Sequence, residues 1–270
     1  MTHSEERRDD VKSTILKKKL RKSQLTVGSW ITLADTAVAE IMAGSGFDWL
    51  AVDMEHSAIT LDKAQELIRV IELCNIPALV RVGENDPNLI KRVMDAGAHG
   101  VIVPMVNNEA DAQKAVSAVK YPPLGSRGVG LARAQGYGLG FKEYKDWVNR
   151  YSVVIVQIEH IKAVDNLQSI LSVKGVDGFI VGPYDLSASL GAPGDFKNRK
   201  MREALKEVIR VARKMRKPAG FHVIQPSEKE LLGRIGEGYR FLGFSLDTIY
   251  LAQACRFKLK NSRQNLKRQQ

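Results

Sequence analysis

SVVIVQIE (152–159) and VDGFIVGPYD (176–185) decide the fold. Each is a short, nearly unbroken apolar run rich in Val and Ile that ends on polar groups. A strand buried on both faces reads this way, and such strands belong to parallel sheets covered by helices. Working outward, the same kind of run recurs as TVGSWITL (26–33), FDWLAVDME (47–55), IPALVRV (76–82) and HGVIVPMV (99–106), then as PAGFHVI (218–224) and RFLGFSLD (240–247). Between the runs lie segments with apolar residues at helical spacing, such as LDKAQELIRVIELC (61–74) and NEADAQKAVSAVK (108–120). Eight β/α units close a barrel rather than leave an open sheet, and the 270-residue chain suits a fold that takes about 250 residues. The expectation is α/β: a single-domain (β/α)8 TIM barrel over 23–257, with a basic N-terminal extension (1–22) and a basic C-terminal tail (258–270).

The net charge of +11 sits at the two ends: residues 1–22 hold eight Lys or Arg against four acids, and residues 256–270 hold six against none. A near-neutral body argues against a shaped nucleic-acid surface, and the tails read as solvated arms. No apolar run reaches the roughly 18 residues of a membrane span, and MTHSEERRDD lacks a signal's apolar centre. A cytoplasmic protein without nucleic-acid or membrane partners is expected. The two cysteines, Cys74 and Cys255, have no metal-site spacing and read as buried free thiols. The interval Tyr121–Trp147 is rich in Gly and Pro without a helical period, so it reads as a long loop after strand four, on the catalytic face or in a subunit contact.

In a parallel barrel the chemistry lies at the C-terminal ends of strands. There the sequence puts Asp53, Glu55 and His56 after the second run, Arg81 in the third, Gln157 and Glu159 in the fifth, and Gly182, Pro183, Tyr184 and Asp185 after the sixth. An acid at such a place can also cap the next helix, and a lone histidine can be a packing residue. Carboxylates from two adjacent strands suit a hard divalent cation. No lysine ends a run; Lys162 is the nearest, which counts against a Schiff-base aldolase. Neither GxGxxG nor GxxxxGK[ST] occurs, so a nucleotide cofactor is not indicated.

The sequence resembles the metal-dependent (class II) pyruvate aldolases of the 4-hydroxy-2-oxoheptanedioate and 2-dehydro-3-deoxyglucarate aldolase type, within the citrate-lyase-like barrels. The carriers are GSW (28–30), AGSGFDWLAVDMEH (43–56), VRV around Arg81, IKRVMDAGAHGVIVPMV (90–106), YPPLGSRGVG (121–130), VQIE ending at Glu159 and GPYDLSASLG (182–191). The resemblance implies that Glu159 and Asp185 hold Mg²⁺, Mn²⁺ or Co²⁺, and that Arg81 contacts the pyruvyl oxygen. It makes His56 the acid/base and Asp95 the carboxylate orienting it from a neighbouring subunit. Trp30, Gln157, Gly182 and Pro183 would line the pyruvate pocket. The implied reaction cleaves or forms a 4-hydroxy-2-oxo acid, with pyruvate and an aldehyde as partners, in a homo-hexamer built as a trimer of dimers. Met54, Tyr184 and the HIKAVDN segment after Glu159 depart from the family pattern and bear on the aldehyde. Two alternatives stand beside this reading: a lyase acting on an acyl-coenzyme A thioester, with Arg127 and Arg133 available for its phosphates, and a non-catalytic barrel serving as a binding module.

Overall fold

The eight apolar runs become eight parallel strands in a computed structural model that describes residues 12–269. They are β1 (Thr26–Ile31), β2 (Trp49–Asp53), β3 (Ala78–Arg81), β4 (Gly100–Val103), β5 (Val153–Ile158), β6 (Gly178–Val181), β7 (Ala219–Val223) and β8 (Phe241–Leu246). Each pairs with the next, and β8 pairs back to β1, closing the barrel. Helices return the chain outside it. Asp35, Asp86 and Asn108 accept hydrogen bonds from first-turn N–H groups, the N-caps that start three of these helices.

Two apolar layers result from the alternation of strand side chains. Inside the barrel, Trp30, Trp49, Leu79, Ile102, Ile155 and Ile180 belong to one buried cluster; outward-facing residues such as Val52, Val80 and Val156 pack with the helices. Trp49 stacks on Phe241 with ring centroids 4.3 Å apart. A Cβ on Gly28 would lie 2.0 Å from the Trp49 ring, so only glycine lets β1 pass this indole.

Over Lys12–Arg21 the expected solvated arm is instead a helix that closes the N-terminal end of the barrel. Leu16 and Leu20, 2% and 1% exposed, join the inner cluster, and the buried Lys17 ammonium reaches the Ser152 carbonyl (2.7 Å) and Asp177 (2.5 Å). The count of lysines hid an apolar i, i+4 pair. Leu20→Ala should destabilise the fold by about 2–5 kcal/mol, read as a lowered urea midpoint with unchanged slope; an unshifted midpoint would mean the helix is dispensable. Residues 1–11 lie outside those described. At the other end, the helix Asp247–Gln269 is exposed from Leu251 through Lys260. Cys255 on it is exposed and Cys74 is half-buried, which corrects the expectation of two buried thiols.

The Tyr121–Trp147 interval also differs from its reading. The helix Glu109–Val119 first carries the chain back to the N-terminal end, so the segment that follows lies away from the catalytic face, and its last part already belongs to the helix Phe141–Tyr151. Its side chains bind the C-terminal end of the helix Pro87–Asp95: Tyr144 donates to the Met94 carbonyl at 3.0 Å, and Arg133 to the Ala96 carbonyl at 3.1 Å. Among the described residues no helix is long and apolar enough to cross a membrane.

Candidate active site

β2 and β3 are in register at Asp53 and Arg81, and this pairing builds one wall of a cleft at the C-terminal end of the barrel. Arg81 Nε and Nη2 donate to the two oxygens of Asp53 at 2.9 and 2.6 Å, a fork that fixes the guanidinium plane. Its Cζ lies 4.5 Å from the centre of the Trp30 ring. Burial raises the Asp53 carboxyl, but the hydrogen bonds and charge of Arg81 outweigh it, and the group ends below its usual value. Arg81 Nη1 stands 3.1 Å from Glu55 Oε2, an ion pair whose angle makes no hydrogen bond.

Glu55 differs from Asp53 because its desolvation is not fully offset. Burial pushes it up against the pull of Arg81, Glu159 and the other carboxylates add to the rise, and the group reaches about 7 from an ordinary 4.5. The folded state thus holds this proton more tightly than the unfolded chain. The stability it contributes is present below about pH 4.5 and lost as pH rises through about 7. In EDTA-treated protein, Glu55→Gln should therefore flatten the fall in melting temperature across that window. An identical pH profile would remove the effect.

Adjacent strands β5 and β6 build the opposite wall. Glu159, 3% exposed, follows β5; its Oε1 accepts from the Met105 N–H at 2.7 Å and its Oε2 from Gln157 Nε2. Burial raises its carboxyl, the two hydrogen bonds oppose that, and Asp185 adds to the rise. Gly182 follows β6, where a Cβ would lie 3.2 Å from both Gln157 Nε2 and Glu159 Oε2, so a side chain there would press on the carboxylate. Pro183 occupies the first helical position and Asp185 the first turn of the helix Pro183–Ser189, where Asp185 is exposed. Tyr184 stands exposed at the rim with its ring against Phe196 at 5.1 Å.

The cleft between the walls measures about 410 Å³ and is lined by Trp30, His56, Arg81, Gln157, Asp185 and His222, among others. Most sequence-nominated residues therefore meet. His56 is 65% exposed at the mouth, with Nε2 3.9 Å from Glu55 Oε2. Asp95 is the exception. It ends the helix Pro87–Asp95 at the N-terminal end of the barrel, where its Oδ1 pairs with Arg127 Nη2 at 2.5 Å, so one chain does not bring Asp95 to His56. Arg127 is buried there, and Arg133 pairs with Glu72; neither lines the cleft. Sequence reasoning missed His222. It stands next to last in β7, and the signal was a histidine on the inward phase of an otherwise apolar run.

Two facts bear on a metal ion. Among the described residues no three His, Cys, Asp or Glu side chains gather as a ready-made cage. The donor set at Glu159 and Asp185 is nevertheless all oxygen, and the repulsion between the two acids is what a hard cation relieves. With two carboxylates, such a cation takes its remaining ligands from substrate and water, so the residues fit.

The fold is a (β/α)8 barrel whose C-terminal cleft gathers an arginine, a histidine and carboxylates. The chain belongs to the HpcH/HpaI aldolase/citrate lyase family, whose profile matches residues 26–254. It is 36% identical over 244 residues to the 2-keto-3-deoxy-L-rhamnonate aldolase of Klebsiella pneumoniae subsp. pneumoniae, covering 90% of each chain. The crystal structure of an HpcH/HpaI aldolase/citrate lyase family protein from Burkholderia cenocepacia superposes with a TM-score of 0.88 at 32% identity, covering 93% of this chain and 99% of that one. An HpcH/HpaI aldolase from Desulfitobacterium hafniense gives 0.85 at 32%, covering 92% and 96%. By this kinship the chain is a carbon–carbon lyase of the aldolase type.

Proposed function

We propose that the protein is a divalent-metal-dependent aldolase that cleaves a 4-hydroxy-2-oxo acid of the 2-keto-3-deoxy sugar-acid class to pyruvate and an aldehyde. One observation carries the reading: a guanidinium clamped by Asp53 lines one cleft with Asp185, and the buried carboxylate of Glu159, after the adjacent strand, lies close enough to feel the charges of both. A cation held by Glu159 and Asp185 would supply Lewis-acid stabilisation of the charge that develops on the former keto oxygen. Arg81 has five N–H donors, and with Nε and one Nη2 donor committed to Asp53 and Nη1 beside Glu55, others remain to fix that oxygen. Gln157 orients Glu159 through its amide. His56, at the mouth, takes the proton from the substrate's 4-hydroxyl as the C3–C4 bond breaks, the enolate carbon left behind takes up a proton from His56 or water to give pyruvate, and the addition direction reverses these transfers. Asp95 acts on His56 only from a neighbouring copy of the chain, which ties this part of the reading to a homo-oligomer, a hexamer in the family arrangement.

The test is pyruvate release, coupled to lactate dehydrogenase, from a panel of 2-keto-3-deoxy and other 4-hydroxy-2-oxo acids. EDTA-treated protein is assayed before and after addition of Mg²⁺, Mn²⁺ or Co²⁺. Metal-dependent release supports the reading, and no release from any acid with any metal sinks it. In the same assay His56→Ala should lower kcat by about 10²- to 10⁴-fold, as loss of a general acid/base does. An unchanged kcat would assign the proton to another group.

A further inference from the structure

Two buried polar atoms, on side chains that line the cleft, have no part in the chemistry above. Trp30 Nε1 and His222 Nε2 are both enclosed, and neither has a hydrogen-bond partner among the described residues. Their rings meet with centroids 5.3 Å apart at 50°, and both side chains line the cleft. The backbone is shaped around them. β1 and β8 slip register between Gly28 and Trp30, and Ser245 beside the slip has φ 53°, a bulge of the kind that re-aims side chains near active sites. Gly243 lies in register with His222, and a Cβ there would come within 2.8 Å of Trp30 Nε1 and 3.5 Å of His222 Cδ2. Only glycine leaves both rings their places.

The protonation of His222 sets the polarity of the pair. Burial first, and Arg81 second, push the imidazole down to about 3, so it is neutral at ordinary pH, while the main chain of Ser245 bonds the ring. With Nε2 unpartnered, that bond is made by Nδ1–H, and Nε2 is left as a lone-pair acceptor. An indole N–H donates only. A donor and an acceptor on two rings in contact match a hydroxyl, which gives one hydrogen bond and takes one. A carboxylate would leave the imidazole unmatched, an ammonium would leave the indole unmatched, and a hydrocarbon would leave both buried groups unpaired.

We propose that Trp30 and His222 form a subsite for a hydroxyl group of the substrate, with Trp30 Nε1 donating to it and His222 Nε2 accepting from it. This rests on the aldolase reading and narrows its substrate to a hydroxylated one; a hydroxyl on the three-carbon nucleophile would replace the 3-deoxy acid and pyruvate of that reading by a 3-hydroxy acid and hydroxypyruvate. The hydroxyl belongs either to the aldehyde-derived part or to the three-carbon nucleophile, and two substrate pairs separate these sources. In the addition direction, kcat/KM is compared for glycolaldehyde against acetaldehyde with pyruvate, and for hydroxypyruvate against pyruvate with one common aldehyde.

The unaltered protein should favour the hydroxylated member of one pair. His222→Leu should lower that ratio about tenfold, the scale of a buried group left unmatched. His222→Gln keeps an acceptor and should hold the ratio within about threefold, and Trp30→Phe, which removes the donor alone, should lower it as leucine does. If the leucine protein does not fold, His222→Met reads the same ratio. Unchanged ratios in both pairs, or equal falls for leucine and glutamine, overturn the subsite while the aldolase reading stands. No product from the unaltered protein overturns the aldolase reading, and the subsite falls with it.

Discussion

Glu159→Gln should lower metal-dependent pyruvate release by at least 10²- to 10³-fold, the scale of removing one preorganised charge-stabilising group. The substitution keeps size and shape, so Gly182 and Pro183 keep their places. Two things change. The carbonyl end of the new amide can still accept from Gln157 or from the Met105 N–H, but the NH₂ end then faces the other donor at a position where Glu159 accepts both. The negative charge that would attract a cation is halved to that of Asp185 alone, which is exposed. The loss should therefore appear in metal affinity as well as in kcat: titrated Mn²⁺ should bind more weakly, with the melting temperature of the metal-free protein little changed or raised, because a desolvated carboxylate has been neutralised. Full turnover in the glutamine protein would remove Glu159 from the site, and weaker turnover with unchanged Mn²⁺ affinity would leave it a role toward substrate only.

Residues buried on both faces made the fold legible. VVIVQI and GFIV have no solvated side to interrupt their apolar run, so the strands announced themselves, and eight of them with intervening helices leave closure as the simplest architecture. The acids and Arg81 were legible because they terminate those runs, where polarity has no structural excuse inside a barrel. What was not legible depends on relations between distant residues. Leu16 and Leu20 looked like part of a charged arm until the barrel end they cover existed. The interval Tyr121–Trp147 reads as a loop on the catalytic face or in a subunit contact, yet the helix Glu109–Val119 before it reverses the chain's direction. Trp30 and His222 meet across the barrel mouth beside a register slip of β1 and β8 at Gly28/Trp30, and no period in the sequence encodes either. Asp95 shows the same limit from the other side: its motif carries a resemblance, while its geometry within one chain gives it Arg127 as a partner.

Arg81→Ala should both abolish turnover and destabilise the fold by about 3–5 kcal/mol, the cost of breaking a buried pair by removing one partner. Asp53 is 2% exposed, and with the guanidinium gone its remaining partners are the N–H groups of Glu55 and His56, at 3.0 and 3.3 Å. The pH dependence should change sign, which a mere loss of packing would not produce. In the unaltered protein Asp53 lies below its ordinary 3.8, so its contribution is present above that value and lost as pH falls through the folded value. Without Arg81 the largest influence left is desolvation, which raises the group. Its contribution is then present at low pH and lost as pH rises, so the variant should gain stability relative to the unaltered protein on acidification. The double variant Asp53→Asn/Arg81→Ala should recover part of the lost stability but no turnover, because the buried charge is gone while the oxygen-fixing guanidinium is still missing. Additive losses in that cycle would show that the two side chains do not act as a pair, and the fork would then be an accident of register rather than the frame of the site.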